Sequence, residues 1–201
     1  MPAAITRTPP PPATRPGRFR WTTDLFHDIC DAGYFEGRNV ILVDGEIIDM
    51  PPPNPAHNYG LTVAAEVLTP LFRPGHFPRN QMALVLGLWT DPVPDLAFVP
   101  GAARDYLTRQ ATSAALVVEV SDTTLAYDTT EKAELYATGG IADYWVIDVT
   151  NERLLVFRDP RPLSTAPSAT AYQTCLTLGR GDTVSPLALP GVSVDVADLL
   201  P

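Results

Sequence analysis

Two apolar, strand-like runs with a short helical segment between them constrain the fold of this chain most. The first strand is predicted over Ala115–Val120 and the second over Tyr144–Val149. The segment Thr130–Thr138 between them predicts a helix that ends at Gly139-Gly140, because glycine commonly terminates helices. A helix between two apolar strands, with further strands before and after it, predicts a mixed α/β domain around one sheet.

Turn residues and periodicity predict the remaining elements. Asp44-Gly45 between two apolar runs is a strong hairpin signal, and Pro51–Pro55 predicts a rigid turn. Thr23 or Asp24 is expected to cap a short helix that runs to about Cys30. The other predicted elements are a helix over Asn58–Leu71, strands over Val40–Val43, Glu46–Met50, Met82–Trp89, Asp95–Val99 and Arg153–Phe157, a loop over Asp159–Pro167, and late strands near 171–178 and 192–196.

Length and composition indicate a globular protein with one sizeable core: 201 residues, of which 45% are hydrophobic and 18% are charged. Residues 1–17, with the run Pro9–Pro12, predict a disordered, proline-rich basic tail, and residues 18–201 predict a single domain. The longest apolar runs are too short to cross a bilayer, and the N-terminus lacks a secretory pattern. We therefore expect no membrane association and a cytoplasmic location. Cys30 and Cys175 are expected to be buried, reduced thiols.

The charge balance bears on the class of partner. A net charge of -9 argues against indiscriminate binding of nucleic acid, because a phosphate backbone favours an excess of Lys and Arg. It leaves open a local basic cleft within an acidic protein.

Two carboxylates accompany the apolar strands. Glu119 shares a strand face with Val117 and Ser121, and Asp95 follows Pro94 at the start of another predicted strand. A carboxylate in such a run is costly to bury unless it holds a metal or a partner. Asp and Glu oxygens suit Mg²⁺, which usually keeps several waters and binds one or two carboxylates. Asp95 capping a turn after Pro94 is the structural alternative.

Three residues at helical spacing follow these carboxylates. Asp128, Lys132 and Tyr136 are spaced i, i+4 and i+8, so they are expected to project from one helix face. A lysine there would orient a water or stabilise negative charge that develops on a phosphate. The alternatives are a surface ion pair between Asp128 and Lys132 and a core role for Tyr136.

His57, Asp128 and Tyr136 are secondary candidates for the site. His57, after the proline turn, is a possible ligand or proton contact, with an ordinary surface histidine as the alternative. Glu66, on the helix predicted over Asn58–Leu71, is a possible third carboxylate, although a solvated helix face is the default interpretation.

In sequence, these segments together resemble the Uma-type family of restriction-endonuclease-like proteins, within the PD-(D/E)xK nuclease superfamily. The resemblance covers roughly residues 21–200. The motifs that carry it are Asp44-Gly45-Glu46, Pro53-x-x-x-His57, Pro94-Asp95, Val118-Glu119-Val120-Ser121, Asp128-x-x-x-Lys132-x-x-x-Tyr136-Ala137 and Tyr144-Trp145-x-x-Asp148. The resemblance implies a restriction-endonuclease-like core, a mixed β-sheet flanked by helices with additional β-hairpins.

The resemblance also implies roles for individual residues. Asp95 takes the place of the motif's aspartate and Glu119 that of its second acid. The lysine of a Glu-x-Lys motif would fall at Ser121, and the family pattern places it instead at Lys132 on the following helix. Ile41 stands where the family often has a glutamate, which is a departure from the pattern.

The expected function is therefore Mg²⁺-dependent endonuclease hydrolysis of nucleic acid, with DNA favoured, Mn²⁺ as a possible substitute, and a homodimer suggested by the two-fold symmetry of DNA. Asp95 and Glu119 are the expected metal ligands, and Lys132 is the third catalytic residue. Two alternatives stay open, because one fold hosts many functions. One is a catalytically silent nuclease-fold protein that binds DNA or regulates. The other is a dimeric scaffold in which the carboxylates pair internally.

Overall fold

The computed structural model describes residues 16–73, 75–163 and 166–201. Its helices are α1 (Thr23–Asp31), α2 (Pro55–Phe72), α3 (Leu125–Thr129) and α4 (Glu131–Thr138). Its strands are β1 (Asn39–Val43), β2 (Glu46–Met50), β3 (His76–Asn80), β4 (Leu96–Pro100), β5 (Leu116–Ser121), β6 (Asp143–Asp148), β7 (Arg153–Leu163), β8 (Ala166–Leu178), β9 (Thr183–Val184) and β10 (Val194–Asp195). Short 3₁₀ turns cover Ala103–Tyr106 and Val196–Leu199.

Within the described residues, six strands form the central sheet in the order β3-β4-β5-β6-β7-β8. Only the β5–β6 pair in this order is parallel, and the other neighbouring pairs are antiparallel. A parallel pair needs a crossover connection, and α3 and α4 supply it. This arrangement confirms the predicted mixed α/β fold with helices on a mixed sheet and an added hairpin.

Helices cover both faces of the sheet. On one face, Ala64, Leu68 and Phe72 of α2 pack against a cluster that includes Val118 and Val120 of β5. On the other face, Ala133 and Tyr136 of α4 pack against a cluster that includes Val117 and Tyr144. Successive side chains of β5 alternate between these layers, so Glu119 lies on the α4 face with Val117. All six residues of β5 are buried, including Glu119.

The β1–β2 hairpin is confirmed, and its turn has the geometry that the sequence requires. Asp44 has φ 50° and Gly45 has φ 80°. Positive φ at both central residues is typical of a type I′ turn, which matches the twist of the flanking strands. The hairpin contacts the rest of the domain through a bridge between Leu42 and Asp91.

The prediction of a strand over Met82–Trp89 is wrong. This segment is irregular and makes isolated bridges at Leu84 and Gly87. The strand that pairs with β4 is instead β3, which sequence reasoning missed because Pro78 interrupts its apolar pattern. Proline is tolerated there because β3 lies at the edge of the described sheet, where one side of the strand needs no ladder hydrogen bonds.

The loop predicted over Asp159–Pro167 is also wrong in extent. β7 continues to Leu163 and β8 begins at Ala166. Pairing between β6 and β7 ends at the Asp143–Arg158 pair. At Pro160, β7 is therefore hydrogen-bonded to β8 on one side and to no described strand on the other. A proline, which has no N–H to donate, is compatible with such a position.

The helices differ from the predictions at their ends. The N-cap of α1 is Thr22, whose Oγ1 accepts from the Leu25 N–H, rather than Thr23 or Asp24. α2 begins at Pro55, three residues earlier than predicted, because proline suits the first turn of a helix. The helix predicted over Thr130–Thr138 is α4, which begins at Glu131 and is followed by Gly139 as predicted. α3 precedes it and was not predicted. The two helices meet at Thr130 (φ -119°, ψ -82°), so Asp128 lies on α3 rather than on the helix that carries Lys132 and Tyr136.

Other predictions concern the tail, membranes and cysteines. Residues 1–15 of the predicted tail lie outside the described residues. Among the described helices, none is both long enough and apolar enough to span a membrane. Cys30 and Cys175 are free thiols, but Cys30 is half-buried and Cys175 is exposed, so the prediction that both are buried is wrong. Cys175 is exposed because β8 is the last strand on its side of the described sheet.

Candidate active site

A cleft of about 670 Å³ opens where the carboxyl end of β5 meets the N-terminus of α2. The β1–β2 hairpin and the proline turn at 51–53 form one wall, and residues 122–132 form the other. The predicted site residues that line it are His57, Asp95, Asp128 and Lys132. Glu119 is 1% exposed and contacts Asp95 and Lys132.

Asp95 is held at the start of β4 by contacts from two elements. Its Oδ2 accepts a hydrogen bond of 2.8 Å from the backbone N–H of Val120. Nε2 of His57 lies 3.0 Å from the same oxygen, and the ring donates because an ionised carboxylate can only accept. Burial alone would raise the pKa of Asp95, but the His57 hydrogen bond and the nearby Lys132 charge outweigh it and lower the pKa. Asp95 is therefore a carboxylate at neutral pH.

Glu119 is bound through both carboxyl oxygens. The Tyr136 hydroxyl donates to Oε1 at 2.6 Å, and the Lys132 ammonium lies 3.0 Å from Oε2. The backbone N–H of Asp95 donates to Oε2 at 3.3 Å, which joins the two acidic residues directly. Burial raises the pKa of Glu119 to about 8, although Lys132 and Tyr136 oppose this shift. The site can therefore take up or release a proton at Glu119 near neutral pH.

Lys132 lies between two carboxylates. Its Nζ is 3.2 Å from Oδ1 of Asp128 as well as 3.0 Å from Glu119. Burial alone would lower its pKa, but the charges of Glu119, Asp128 and Asp95 raise it above the ordinary lysine value. Asp128 is itself fixed, since Thr124 Oγ1 donates to its Oδ2 at 2.6 Å. The break at Thr130 does not separate Asp128 from Lys132, so their predicted proximity is confirmed.

His57 reaches Asp95 from the first turn of α2. Its backbone N–H donates to Oδ1 of the N-cap residue Asn54 at 3.0 Å. The hydrogen bond to Asp95 raises the pKa of His57, against the opposing effect of burial. His57 thus connects the helix on one face of the sheet to the carboxylates at the strand ends.

Three other positions discussed in the sequence analysis, Glu66, Ser121 and Ile41, do not contribute a charged group to this cluster. Glu66 is exposed on α2 and lines a separate groove rather than the cleft. Ser121, where a Glu-x-Lys lysine would fall, is fully buried, and its Oγ has no hydrogen-bond partner among the described residues. Ile41 is buried and forms part of the cleft wall.

Sequence reasoning missed two cleft residues that the structure brings together. Asn54 Nδ2 donates to Oδ2 of Asp122 at 2.6 Å. Asn followed by Pro55 is an N-cap signal that was available in the sequence, since Asn caps helices and proline favours the next position. The pairing with Asp122 had no sequence signal, because the two residues are 68 positions apart.

The charges of the cluster bear on whether a metal fits. Among the described residues, no group of three or more His, Cys, Asp or Glu side chains is arranged to hold a metal ion. Asp95, Glu119 and Asp128 are nevertheless all buried around the ammonium of Lys132. Glu119, whose pKa is raised to about 8, holds a proton at neutral pH while no cation is bound, and it becomes a carboxylate when it releases that proton. Asp95 and ionised Glu119 are hard oxygen donors. This pair fits a hydrated divalent cation that takes one or two protein carboxylates.

Comparison with known proteins identifies the family. A model of the Uma2 family, described as "Putative restriction endonuclease", matches residues 24–197. The chain belongs to the Uma2 family. The matched range contains all the candidate residues above, from His57 to Tyr136. A search of curated proteins found no match.

A solved structure has a similar fold. It is a crystal structure, at 1.96 Å resolution, of "a putative nuclease belonging to DUF820 from Anabaena variabilis". It matches this Uma2-family chain with a TM-score of 0.56 at 15% sequence identity, over 81% of this chain and 89% of that one. At this identity the likeness shows the fold, and it supports the nuclease-like architecture predicted from the sequence.

Proposed function

We propose that this protein is a metal-dependent endonuclease that hydrolyses phosphodiester bonds of nucleic acid, with DNA as the substrate. The observation that carries the proposal is the burial of three carboxyl groups, Asp95, Glu119 and Asp128, beside one lysine, Lys132. Ionising all three is costly without a further cation, and Asp95, Asp128 and Lys132 line a cleft from which a cation can enter. Membership of a restriction-endonuclease-like family supports the same reaction class.

In this proposal Asp95 and Glu119 hold Mg²⁺, with Mn²⁺ as a substitute. The bound ion would polarise the scissile phosphate and lower the pKa of an attacking water. The N–H of Val120 and the ring of His57 fix the Asp95 carboxylate before the ion arrives. Tyr136 orients Glu119 through a hydrogen bond to Oε1.

Lys132 supplies the positive charge of the site. With a cation at Glu119, the Lys132 ammonium would be free to orient the attacking water or to neutralise charge that develops on the phosphate. Asp128 would keep the lysine in its rotamer, since its Oδ1 lies 3.2 Å from Nζ and its Oδ2 accepts from Thr124.

A nuclease of this kind also needs contacts with the phosphate backbone and an assembly that suits its substrate. Arg38 lines the same cleft as Lys132 and gives the phosphate backbone a second cation to contact. We propose a homodimer, because duplex DNA offers two related strands to a protein with two-fold symmetry. Light scattering of the protein with and without a DNA duplex tests this assembly.

The test combines metal binding with cleavage. We expect Mg²⁺ and Mn²⁺ to raise the melting temperature of the wild type, since a ligand that binds only the folded state stabilises it. Glu119→Gln keeps the shape of the side chain and should abolish both this stabilisation and the cleavage of plasmid DNA. Glu66→Gln, on an exposed helix face outside the cleft, is the matched control and should behave as the wild type. Full cleavage by Glu119→Gln would refute the proposal.

A catalytically silent, nucleic-acid-binding protein is the second candidate function. Ile41 favours it, because this buried apolar residue stands in the cleft wall where the family resemblance expects a glutamate. Metal binding without cleavage of single-stranded DNA, duplex DNA or RNA would support this alternative. Replacement of Ile41 by Glu would then test whether the missing carboxylate restores cleavage.

A further inference from the structure

A chain of hydrogen bonds runs from one wall of the cleft to His57. The Thr150 hydroxyl donates to Oδ1 of Asp122 at 2.9 Å, and Nδ2 of Asn54 donates to Oδ2 at 2.6 Å. Oδ1 of Asn54 accepts the backbone N–H of His57 at 3.0 Å. The Asn54 amide is thus bound at both ends, its nitrogen by the Asp122 carboxylate and its oxygen by the helix.

The Asp122 contact decides which end of the Asn54 amide faces α2. Only the oxygen of an asparagine amide can accept the N–H at a helix N-terminus, and its nitrogen can only donate. A carboxylate beside the nitrogen therefore favours the orientation that caps the helix. The cap matters here because a helix that loses its N-cap is less stable and frays at its first turn. His57 lies in that first turn.

The first turn of α2 in turn determines the contact with Asp95. Nε2 of His57 is 3.0 Å from Oδ2 of Asp95, the same oxygen that accepts the Val120 N–H. A shift of the helix N-terminus would move the imidazole off this oxygen and release the carboxylate to rotate.

We propose that Asp122 is a positioning residue that acts through Asn54 to hold the His57 imidazole on Asp95. The effect on metal binding rests on the proposed function, since it requires Asp95 to be a ligand, but the effect on the His57 ring does not. The hydrogen bonds from Asn54 and Thr150 lower the pKa of Asp122, which keeps it an acceptor at neutral pH. Asp122 remains partly exposed to solvent, so these hydrogen bonds rather than close packing orient its carboxylate.

The test compares substitutions that break or keep the link. Asp122→Ala removes the acceptor, whereas Asp122→Asn retains an oxygen for Asn54. Asn54→Ser keeps a helix cap but is too short to reach Asp122. Asp49→Ala is the control, because Asp49 also lines the cleft but pairs with Arg38 at 2.8 Å. The primary measurement is the nitrogen-15 spectrum of the imidazole rings, with the His57 signals assigned from His57→Gln.

We expect Asp122→Ala to shift the His57 ring signals, and Asp122→Asn, Asn54→Ser and Asp49→Ala to leave them at the wild-type position. Mn²⁺ affinity measured by calorimetry should fall about 10- to 100-fold in Asp122→Ala and stay unchanged in the other three variants, as expected of a residue that orients a metal ligand. Unchanged His57 signals in Asp122→Ala would overturn the proposal, and so would an equal shift in Asp49→Ala. If the wild type binds no Mn²⁺, the proposed function fails, and the ring spectra alone decide the positioning role.

Discussion

The ammonium of Lys132 lies 3.0 Å from Oε2 of Glu119, although one residue belongs to α4 and the other to the central strand β5. Both side chains are almost completely removed from solvent. The parallel crossover from β5 through α3 and α4 to β6 creates this contact, because it folds the helices back over the face of β5 that carries Glu119. The pair joins the core of the domain to the floor of the cleft.

Replacement of Lys132 by Met should destabilise the protein, because it leaves Glu119 and Asp128 buried without their cation. Breaking a buried ion pair costs about 3 to 5 kcal/mol. We expect a loss near the lower end, since Glu119 can become neutral by taking up a proton. Urea unfolding measures the loss, and Arg38→Met in the exposed pair with Asp49 is the control. Equal stability of Lys132→Met and the wild type would show that the ammonium contributes nothing to the fold.

Replacement of Tyr136 by Phe should remove the hydrogen bond to Oε1 of Glu119 and leave a buried acceptor unsatisfied. The expected cost is about 1 to 3 kcal/mol in guanidinium unfolding, together with weaker binding of Mn²⁺. Tyr172→Phe is the matched control, because its hydroxyl donates to the Ile141 carbonyl at 2.7 Å, away from the carboxylates. Both variants should lose stability, but only Tyr136→Phe should lose metal affinity. A loss of metal affinity in both would place the effect in the fold rather than at Glu119.

Metal affinity should rise with pH through the range in which Glu119 ionises. Its pKa is raised from 4.5 to about 8, so the folded protein holds a proton that the cation must displace. In the absence of metal, the stability of the fold depends on pH in the opposite direction. The folded state binds the Glu119 proton more tightly than the unfolded state does. The contribution of Glu119 to the free energy of unfolding therefore falls as pH rises from about 4.5 to about 8. Calorimetric titration with Mn²⁺ from about pH 6 to about pH 9 measures the dependence of affinity. Glu119→Gln, which should not bind Mn²⁺ at this site, is the control for heats that arise elsewhere.

His27 and Asp91 provide a second pH dependence, outside the candidate site. Nε2 of His27 lies 2.5 Å from Oδ2 of Asp91, and this hydrogen bond raises the pKa of His27 above 6.5. The folded state therefore favours the protonated ring. Its contribution to stability is fully present below the unfolded pKa of 6.5 and is lost as pH rises through the higher folded pKa.

Urea unfolding of the wild type and of His27→Gln over a pH series tests this contribution. We expect the difference between the two proteins to be largest at acid pH and to shrink as pH rises. A difference that grows with pH would contradict the assigned pKa direction. Asp91→Asn should reduce the pH dependence in the same way, because it removes the charge that stabilises the ring.

Replacement of Gly60 by Ala should destabilise the protein even though alanine favours helices by about 1 kcal/mol. A Cβ at Gly60 would lie 2.8 Å from Cγ1 of Val120 and 3.1 Å from Cγ1 of Val149, so α2 would have to move away from the sheet. Because α2 also carries His57, the variant should weaken Mn²⁺ binding as well. Thr62→Ala, on the exposed side of the same helix, should retain the wild-type melting temperature and metal affinity.

Local sequence signals determined much of the fold. The Asp44-Gly45 turn, the apolar run of β5 and the glycine that ends α4 each act through their own backbone or side-chain preferences, and each was predicted where it lies. β3 was missed because Pro78 masks its pattern, and its pairing with β4 depends on residues about 20 positions away. The full length of β7 was also missed, because its prolines argue against a strand. They are tolerated only because they lie beyond the point where β6 stops pairing with β7.

The sequence by itself determined which chemical groups are present and that Glu119 would be buried in an apolar strand. The alternation of side chains along β5 also determined that Glu119 lies on the same face of the sheet as Val117, because successive side chains of a strand point to opposite sides. Only the tertiary structure decided that Lys132, Tyr136 and Asp95 converge on it, and that Asn54 meets Asp122. These contacts join residues on separate elements, and their distances depend on how helices pack on the sheet rather than on any local preference of the chain.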